Sequence, residues 1–234
     1  MPEILLIDKP KGITSFDVIR GVRKQIGIKK IGHAGTLDPL ATGLMILGVG
    51  PGTKKLTELI KLDKEYSAEV LIGERRTTGD MEGEVVESVD VVALDPAQVL
   101  VAAASLIGTV SLPVSAYSAI KKDGVPMYKR ARAAEKTGDT VTDVPVREMV
   151  VHSALVGNIE VIFKDETLTT ISRLLVTVTF AVGSGTYIRS LAEELGRRLG
   201  YPATLANLRR TKVGDFKIEE AKLIEDLKPN SQTV

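Results

Sequence analysis

Among the residues of this chain, Asp38 has the setting best suited to chemistry. It stands in Leu37-Asp38-Pro39-Leu40, inside IGHAGTLDPLATGLMILGVGPGT (31–53), a stretch with six Gly and two Pro among core-type residues, shaped for close backbone approach. Pro39 pushes Asp38 out of the α region, and the carboxylate falls among Leu37, Leu40, Leu44 and Ile46. A carboxylate in apolar company needs a partner and is a candidate for catalysis; the plain alternative is an Asp-Pro turn. The second candidate is AVGSGTYIRSLAEEL, where a strand runs through Gly183-Ser184-Gly185-Thr186 into a helix, as in loops that cradle phosphate. Ile188 stands where a dinucleotide fingerprint has its third glycine, and no Gly-Lys-Ser/Thr occurs, so the nucleotide reading is weak. Arg189 lies in the first helical turn, where a cation opposes the helix dipole. That position calls for an anionic partner, and Asp38 is one candidate.

Other side chains suit recognition. With no Trp and four Phe, the tyrosines Tyr66, Tyr117, Tyr128 and Tyr187 are the surfaces available for stacking on bases, unless they are core residues with boundary hydroxyls. His33, beside Gly32 and Gly35, suits either a turn cap or a wedge into nucleic acid, and His152 in a strand reads as structural. Glu193 and Glu194 are not an acid/base pair, because adjacent helical residues point about 100° apart. Zero Cys and two His exclude a thiolate nucleophile, a disulfide framework and a His-based metal cluster.

These residues need a scaffold, and 234 residues of ordinary globular composition allow one large domain. No apolar run approaches a membrane span and no signal peptide opens the sequence, so a cytoplasmic protein without a metal is expected. Glu3 to Asp8 reads as a buried strand. Thr14-x-x-Asp17 then forms a capping box for a helix with Val18, Ile19, Val22 and Ile26 on one stripe, stopped by Gly27. Ser67 to Ile72 and Glu84 to Glu87 read as strands around RRTTGDMEG, a connection expected at the surface. Asp95-Pro96 opens a helix to Leu106 or Ile107. Val146 to Val151, Ile159 to Phe163 and Arg173 to Val182 are β-branched runs, and Ile188, Leu191, Ala192, Leu195 and Leu199 fall at helical spacing before Gly200. The pattern is α+β or α/β, with a largely antiparallel sheet.

The net charge of +1 hides an uneven distribution. Met1 to His33 holds seven basic residues against three acidic, Tyr117 to Lys136 six against two, and Arg189 to Lys217 seven against three. Seven carboxylates concentrate in Glu74 to Asp95. Three basic segments on one face would attract a polyanion.

The segment around Asp38 closely resembles GHTGTLDPLATGVL, the signature of the bacterial tRNA pseudouridine synthase B (TruB) family. LLIDKPKGITSFDVIRGVRK, KEYSAEVLIG, SAYSAIKKDGVPMYKRAR, GTYIRSLAEELGRRLG and ATLANLRRTKVGDF resemble successive blocks of that family, in order, over Ile4 to about Phe216. The resemblance implies an α+β pseudouridine synthase fold, a mixed and mainly antiparallel central sheet flanked by helices. It implies an isomerase that converts uridine 55 in the tRNA T-loop to pseudouridine without cofactor or metal. By it, Asp38 is the nucleophile and Arg189 its buried partner, since the carboxylate must be ionised. The target base must be flipped out of its stack, with Tyr66 stacking on it and His33 filling the gap. Lys9, Tyr187 and Leu208 are similar to pocket-lining positions, Asp80 keeps a second family aspartate, and 117–150, with Lys121 to Arg132, resembles an RNA-gripping thumb.

Three departures stand out. Ala34 replaces the usual Thr after His33, Thr77 replaces the first aspartate of Thr-Asp-Thr-x-Asp, and Val182-Gly183 replaces Cys-Ser. About eighteen residues follow the GDF block, too few for a C-terminal domain of the PUA type, so 1–234 is expected to be a single catalytic domain that grips only the T-arm. The partner is expected to be tRNA alone, with no membrane, guide RNA or obligatory protein partner. Two other readings remain: a catalytically silent RNA-binding module, and a small phosphate or nucleotide binder using the GSGT loop.

Overall fold

A computed structural model describes residues 2–91, 94–118, 120–137, 139, 141, 143–163 and 171–228. In chain order the strands are β1 (Ile4–Lys9), β2 (Ile31–His33), β3 (Thr42–Val49), β4 (Lys64–Ile72), β5 (Glu74–Arg76), β6 (Val85–Ser88), β7 (Gly108–Pro113), β8 (Lys121–Lys122), β9 (Val125–Pro126), β10 (Val146–Phe163), β11 (Ile171–Val182), β12 (Ala203–Val213) and β13 (Phe216–Lys217). The helices are α1 (Ser15–Ile26), α2 (Leu56–Leu59), α3 (Pro96–Ser105), α4 (Met127–Glu135) and α5 (Ile188–Leu199). The chain forms two compact units, one of residues 1–67, 181–184 and 207–234, the other of 68–180 and 185–206.

In the first unit β1 and β2 pair antiparallel with β3, while β12 joins β3 in parallel through Arg209↔Thr42 and Arg210↔Gly43. α1 has the expected ends. Thr14 Oγ1 accepts from the Asp17 amide at 3.1 Å, Asp17 Oδ2 accepts from the Thr14 amide at 2.8 Å, and Gly27 closes the helix in the left-handed region. Its buried face is Ser15, Val18, Ile19, Val22 and Ile26. Much of 31–53 is strand rather than loop: Gly43 to Val49 of β3 is buried throughout, leaving 34–41 as the irregular stretch.

In the second unit β7 and β10 pair antiparallel from Val146↔Pro113 to Val151↔Gly108. α3 packs on β10 and α5, and it carries a second capping box between Asp95 and Gln98. α5 buries Ile188, Leu191, Ala192 and Leu195 and ends at Gly200. The sheet is therefore mixed, as expected. Two differences from the sequence reading have physical causes. The runs before and after Val156-Gly157-Asn158 belong to one strand, β10, because this unit's Gly157 stays in the pleat without breaking it. α4 was not read as a helix, since only Met127 and Ala131 are buried and no side chain caps it.

Candidate active site

Asp38 is half-buried in the 34–41 loop, and the backbone on both sides of it is tied down. Ser15, the first residue of α1, accepts from the Leu37 amide at 2.8 Å and donates to the Leu37 carbonyl at 2.9 Å. The Ala41 amide donates to the Asp38 carbonyl at 3.1 Å, and the Gly12 amide to that of Pro39 at 2.8 Å. Lys9, at the end of β1, is wholly buried and its ammonium donates to the carbonyls of Ala41 at 2.5 Å, Pro10 at 3.1 Å and Pro39 at 3.2 Å. Lys9 thus serves the loop itself, as a buried cation solvated by backbone oxygens. Among the described residues no group of three or more His, Asp or Glu side chains is arranged to hold a metal ion.

The other first-unit candidates are strand residues. Tyr66 is buried in β4 and Leu208 in β12, where the Leu208 carbonyl accepts from Thr42 Oγ1 at 3.3 Å. His33 ends β2, half-buried, next to Ala34, which is fully buried. Burial lowers the His33 pKa below the usual imidazole value, the nearby Arg210 charge acts in the same direction, and a hydrogen bond with the Gly35 backbone opposes both. The balance favours the uncharged imidazole.

Arg189 lies in the second unit and is 6% exposed. Its Nη1 donates to the Thr78 carbonyl at 2.9 Å and to Ser115 Oγ at 2.8 Å, its Nη2 to the Tyr117 carbonyl at 3.3 Å, and its Nε is 3.7 Å from Asp80 Oδ2. The dipole argument for an anionic neighbour is met in this unit by Asp80, a partner the sequence reading did not pair with it. Asp80 is buried, so RRTTGDMEG is not wholly a surface connection. Thr78 Oγ1 donates to Asp80 Oδ1 at 2.5 Å and the Glu82 amide donates to the same oxygen at 3.1 Å, which makes burial of the charge tolerable. Ser115 and Thr78 were missed; nothing in their spacing marks them, because they act through segments far apart in sequence.

Tyr187 is the half-buried N-cap residue of α5 and makes no side-chain cap bond. The hydroxyls of the GSGT loop go to carbonyls, Ser184 to Ile60 at 2.7 Å and Thr186 to Val150 at 3.5 Å, which disfavours a phosphate cradle. Lys121 is exposed on β8, and the segment to Arg132 forms the β8–β9 hairpin and α4, with Arg132 over the Tyr128 ring at 5.8 Å. Residues 119, 138, 140 and 142 of the thumb region lie outside the described residues.

The fold is shared with solved structures described as a Cbf5-Nop10-Gar1 complex (TM-score 0.68, 24% identity, 96% of this chain and 53% of that one) and an H/ACA RNP bound to a substrate RNA containing 2'-deoxyuridine (TM-score 0.61, 24% identity, 96% and 51%). This chain spans about half the length of each. Residues 23–188 match the family model described as TruB family pseudouridylate synthase, N-terminal domain, and residues 189–232 that of the tRNA pseudouridylate synthase B C-terminal domain. Proteins named tRNA pseudouridine synthase B are similar over nearly the whole chain: 39% identity with that of Corynebacterium efficiens (98% of this chain, 73% of the relative) and 40% with that of Burkholderia pseudomallei (98% and 70%). The chain belongs to the TruB family of pseudouridylate synthases, and is an isomerase. No helix among the described residues is long and apolar enough to cross a membrane.

Proposed function

We propose that this protein converts uridine 55 in the T-loop of tRNA to pseudouridine, with Asp38 as the nucleophile. The observation that carries this reading is the Asp38 loop, where a carboxylate is held on a backbone fixed at Leu37, Pro39 and Ala41 by Ser15, Gly12 and Lys9 and at Asp38 by the Ala41 amide. Such a nucleophile is pre-positioned, and little freedom remains to be lost in the transition state. The reaction is an isomerisation. The bond from ribose to the uracil nitrogen breaks with the carboxylate as transient nucleophile, the uracil turns, and a bond forms to its carbon 5, whose proton ends on the vacated nitrogen. Attack on the ribose and attack on the base both satisfy this balance. Arg189 is proposed as the cation for Asp38, Tyr66 as the stacking platform, and His33 as the wedge that replaces the flipped base. Lys9, Tyr187, Leu208 and Asp80 shape and hold the pocket, and Lys121 to Arg132 grips the RNA. The protein acts on tRNA in the cytoplasm, without a guide RNA or an obligatory protein partner.

The direct test is to incubate the protein with unmodified tRNA and map pseudouridine at single-nucleotide resolution. Conversion confined to uridine 55 and abolished in Asp38→Asn is expected. A product at another position refutes the target, and product from Asp38→Asn refutes the nucleophile. Tyr66→Phe keeps the stacking face, whereas Tyr66→Leu loses about 1–3 kcal/mol of base binding; equal activity of both variants places Tyr66 in the core.

A further inference from the structure

Arg210 is a buried cation served by carbonyls. Its side chain is 1% exposed on β12. Among the described residues its hydrogen bonds go to backbone oxygens, Nε to Leu44 at 2.7 Å and Nη2 to Gly35 at 3.2 Å, and no carboxylate forms an ion pair with it. Those two carbonyls bracket the loop that carries Asp38. The backbone of Arg210 is equally fixed. It pairs with Gly43 of β3, and a Cβ at Gly43 would come within 2.3 Å of the Arg210 carbonyl oxygen, so only glycine permits the approach.

A buried charge without a counter-ion is costly, and an apolar side chain of similar volume is often neutral or better for stability. Stability is thus a poor reason for an arginine here. Its planar fork of N–H donors is a better one, because it holds two carbonyls at a fixed spacing and angle. The charge also acts on its neighbours: it lies behind burial among the causes that lower the pKa of His33 and of Lys64, the latter to about 8.

We propose that Arg210 is a positioning residue for the reaction, a buried guanidinium that ties both ends of the Asp38 loop to β12 and keeps positive charge beside it. This inference rests on Asp38 being the nucleophile, and its test separates the two. Arg210→Lys keeps the charge and loses the fork; Arg210→Gln loses both. Each is compared with wild type for kcat, for KM toward tRNA, for amide hydrogen exchange across 36–41, and for the titration of His33 by NMR. His33 meets the Gly35 backbone from its own segment and Arg210 from β12, and His152, exposed on β10, is the internal control.

For Arg210→Lys we expect kcat to fall about tenfold or more with KM within about twofold, since small displacements of a reacting group are costly in rate. Loop exchange should quicken and the His33 titration stay in place. For Arg210→Gln the kcat loss should be larger and the His33 midpoint should rise, with His152 unmoved. Unchanged kcat in both variants, a loss confined to KM, or unaltered loop exchange overturns the proposal. Should Arg210→Gln fail to fold, the wild-type Nε–H of Arg210 decides the tie: slow exchange with solvent supports it, and fast exchange overturns it. Activity of Asp38→Asn would refute the nucleophile, while loop exchange and the His33 titration still decide whether Arg210 holds the loop.

Discussion

Two basic segments of similar density differ in how far the fold uses their charges. In Arg189 to Lys217 the arginines are consumed within the protein. Arg189 is bound by Thr78, Ser115 and Tyr117, Arg197 and Arg198 pair with Glu194 at 2.6 and 2.8 Å, Arg209 pairs with Asp8 at 2.7 Å, and Arg210 is buried on carbonyls. In Tyr117 to Lys136, Lys122 pairs with Asp143 and Arg130 with Asp123, but Lys121, Lys129, Arg132 and Lys136 are exposed on a short hairpin and a helix with little core. Cation density in a sequence therefore marks two different things, charges bound within the fold and charges left facing solvent. The three basic segments are therefore not equally available to an outside partner.

The comparison can be sharpened by substitutions ordered by expected effect. Arg189→Lys should lower kcat by about a hundredfold or more while tRNA affinity stays within a few-fold, because a point charge cannot hold three acceptors that a planar fork reaches. Normal turnover in this variant would place Arg189 outside the reaction. Ser115→Ala removes one acceptor of the same guanidinium and should cost about 1.5–3 kcal/mol, read as a lower denaturation midpoint with a smaller loss of kcat. By contrast, Lys121→Ala and Lys129→Ala should leave kcat unchanged and weaken tRNA binding, each reducing the slope of log affinity against log salt by about 1. If the salt slope instead responds to Arg209→Ala and not to these lysines, the division between scaffold and surface is reversed.

The smallest effect is at α1. Asp17 is held at a pKa of about 2, chiefly by its hydrogen bonds from the Thr14 side chain and amide, with the Arg20 guanidinium adding to them. A carboxylate depressed in the folded state contributes stability above its unfolded pKa, and that contribution is lost as pH falls from about 4 toward 2. Asp17→Asn should flatten this part of the stability profile, and Thr14→Ala should cost about 1 kcal/mol by loss of the cap. A wild-type profile unchanged by Asp17→Asn would show that the box is frayed in solution.

The parts of the fold legible in advance were those written in short-range signals. The caps of α1 and α3 and the stops at Gly27 and Gly200 were readable because each depends on residues within one helical turn. α4 escaped notice because its sequence is polar on most sides, and β10 was read as two strands because Val156-Gly157-Asn158 mimics a turn. Asp38 and Arg189 were identifiable as candidates from unusual placement, one before proline among leucines and the other against a helix dipole. Asp80, Ser115 and Arg210 gained their roles from partners up to 175 residues away.

By itself the sequence determined the family, the α+β class, the candidate nucleophile and the boundaries of α1, α3 and α5, since these rest on local conformational preferences and on a motif whose order survives substitution. Only the tertiary structure decided which cations are buried and what solvates them. Lys9, Arg189 and Arg210 look like Lys121 and Lys129 in composition, yet the first three sit among carbonyls and hydroxyls brought to them largely from segments far along the chain. The physical reason is that the free energy of a charge depends on every dipole and counter-ion within a few ångströms of it, and those neighbours exist only once the chain has folded.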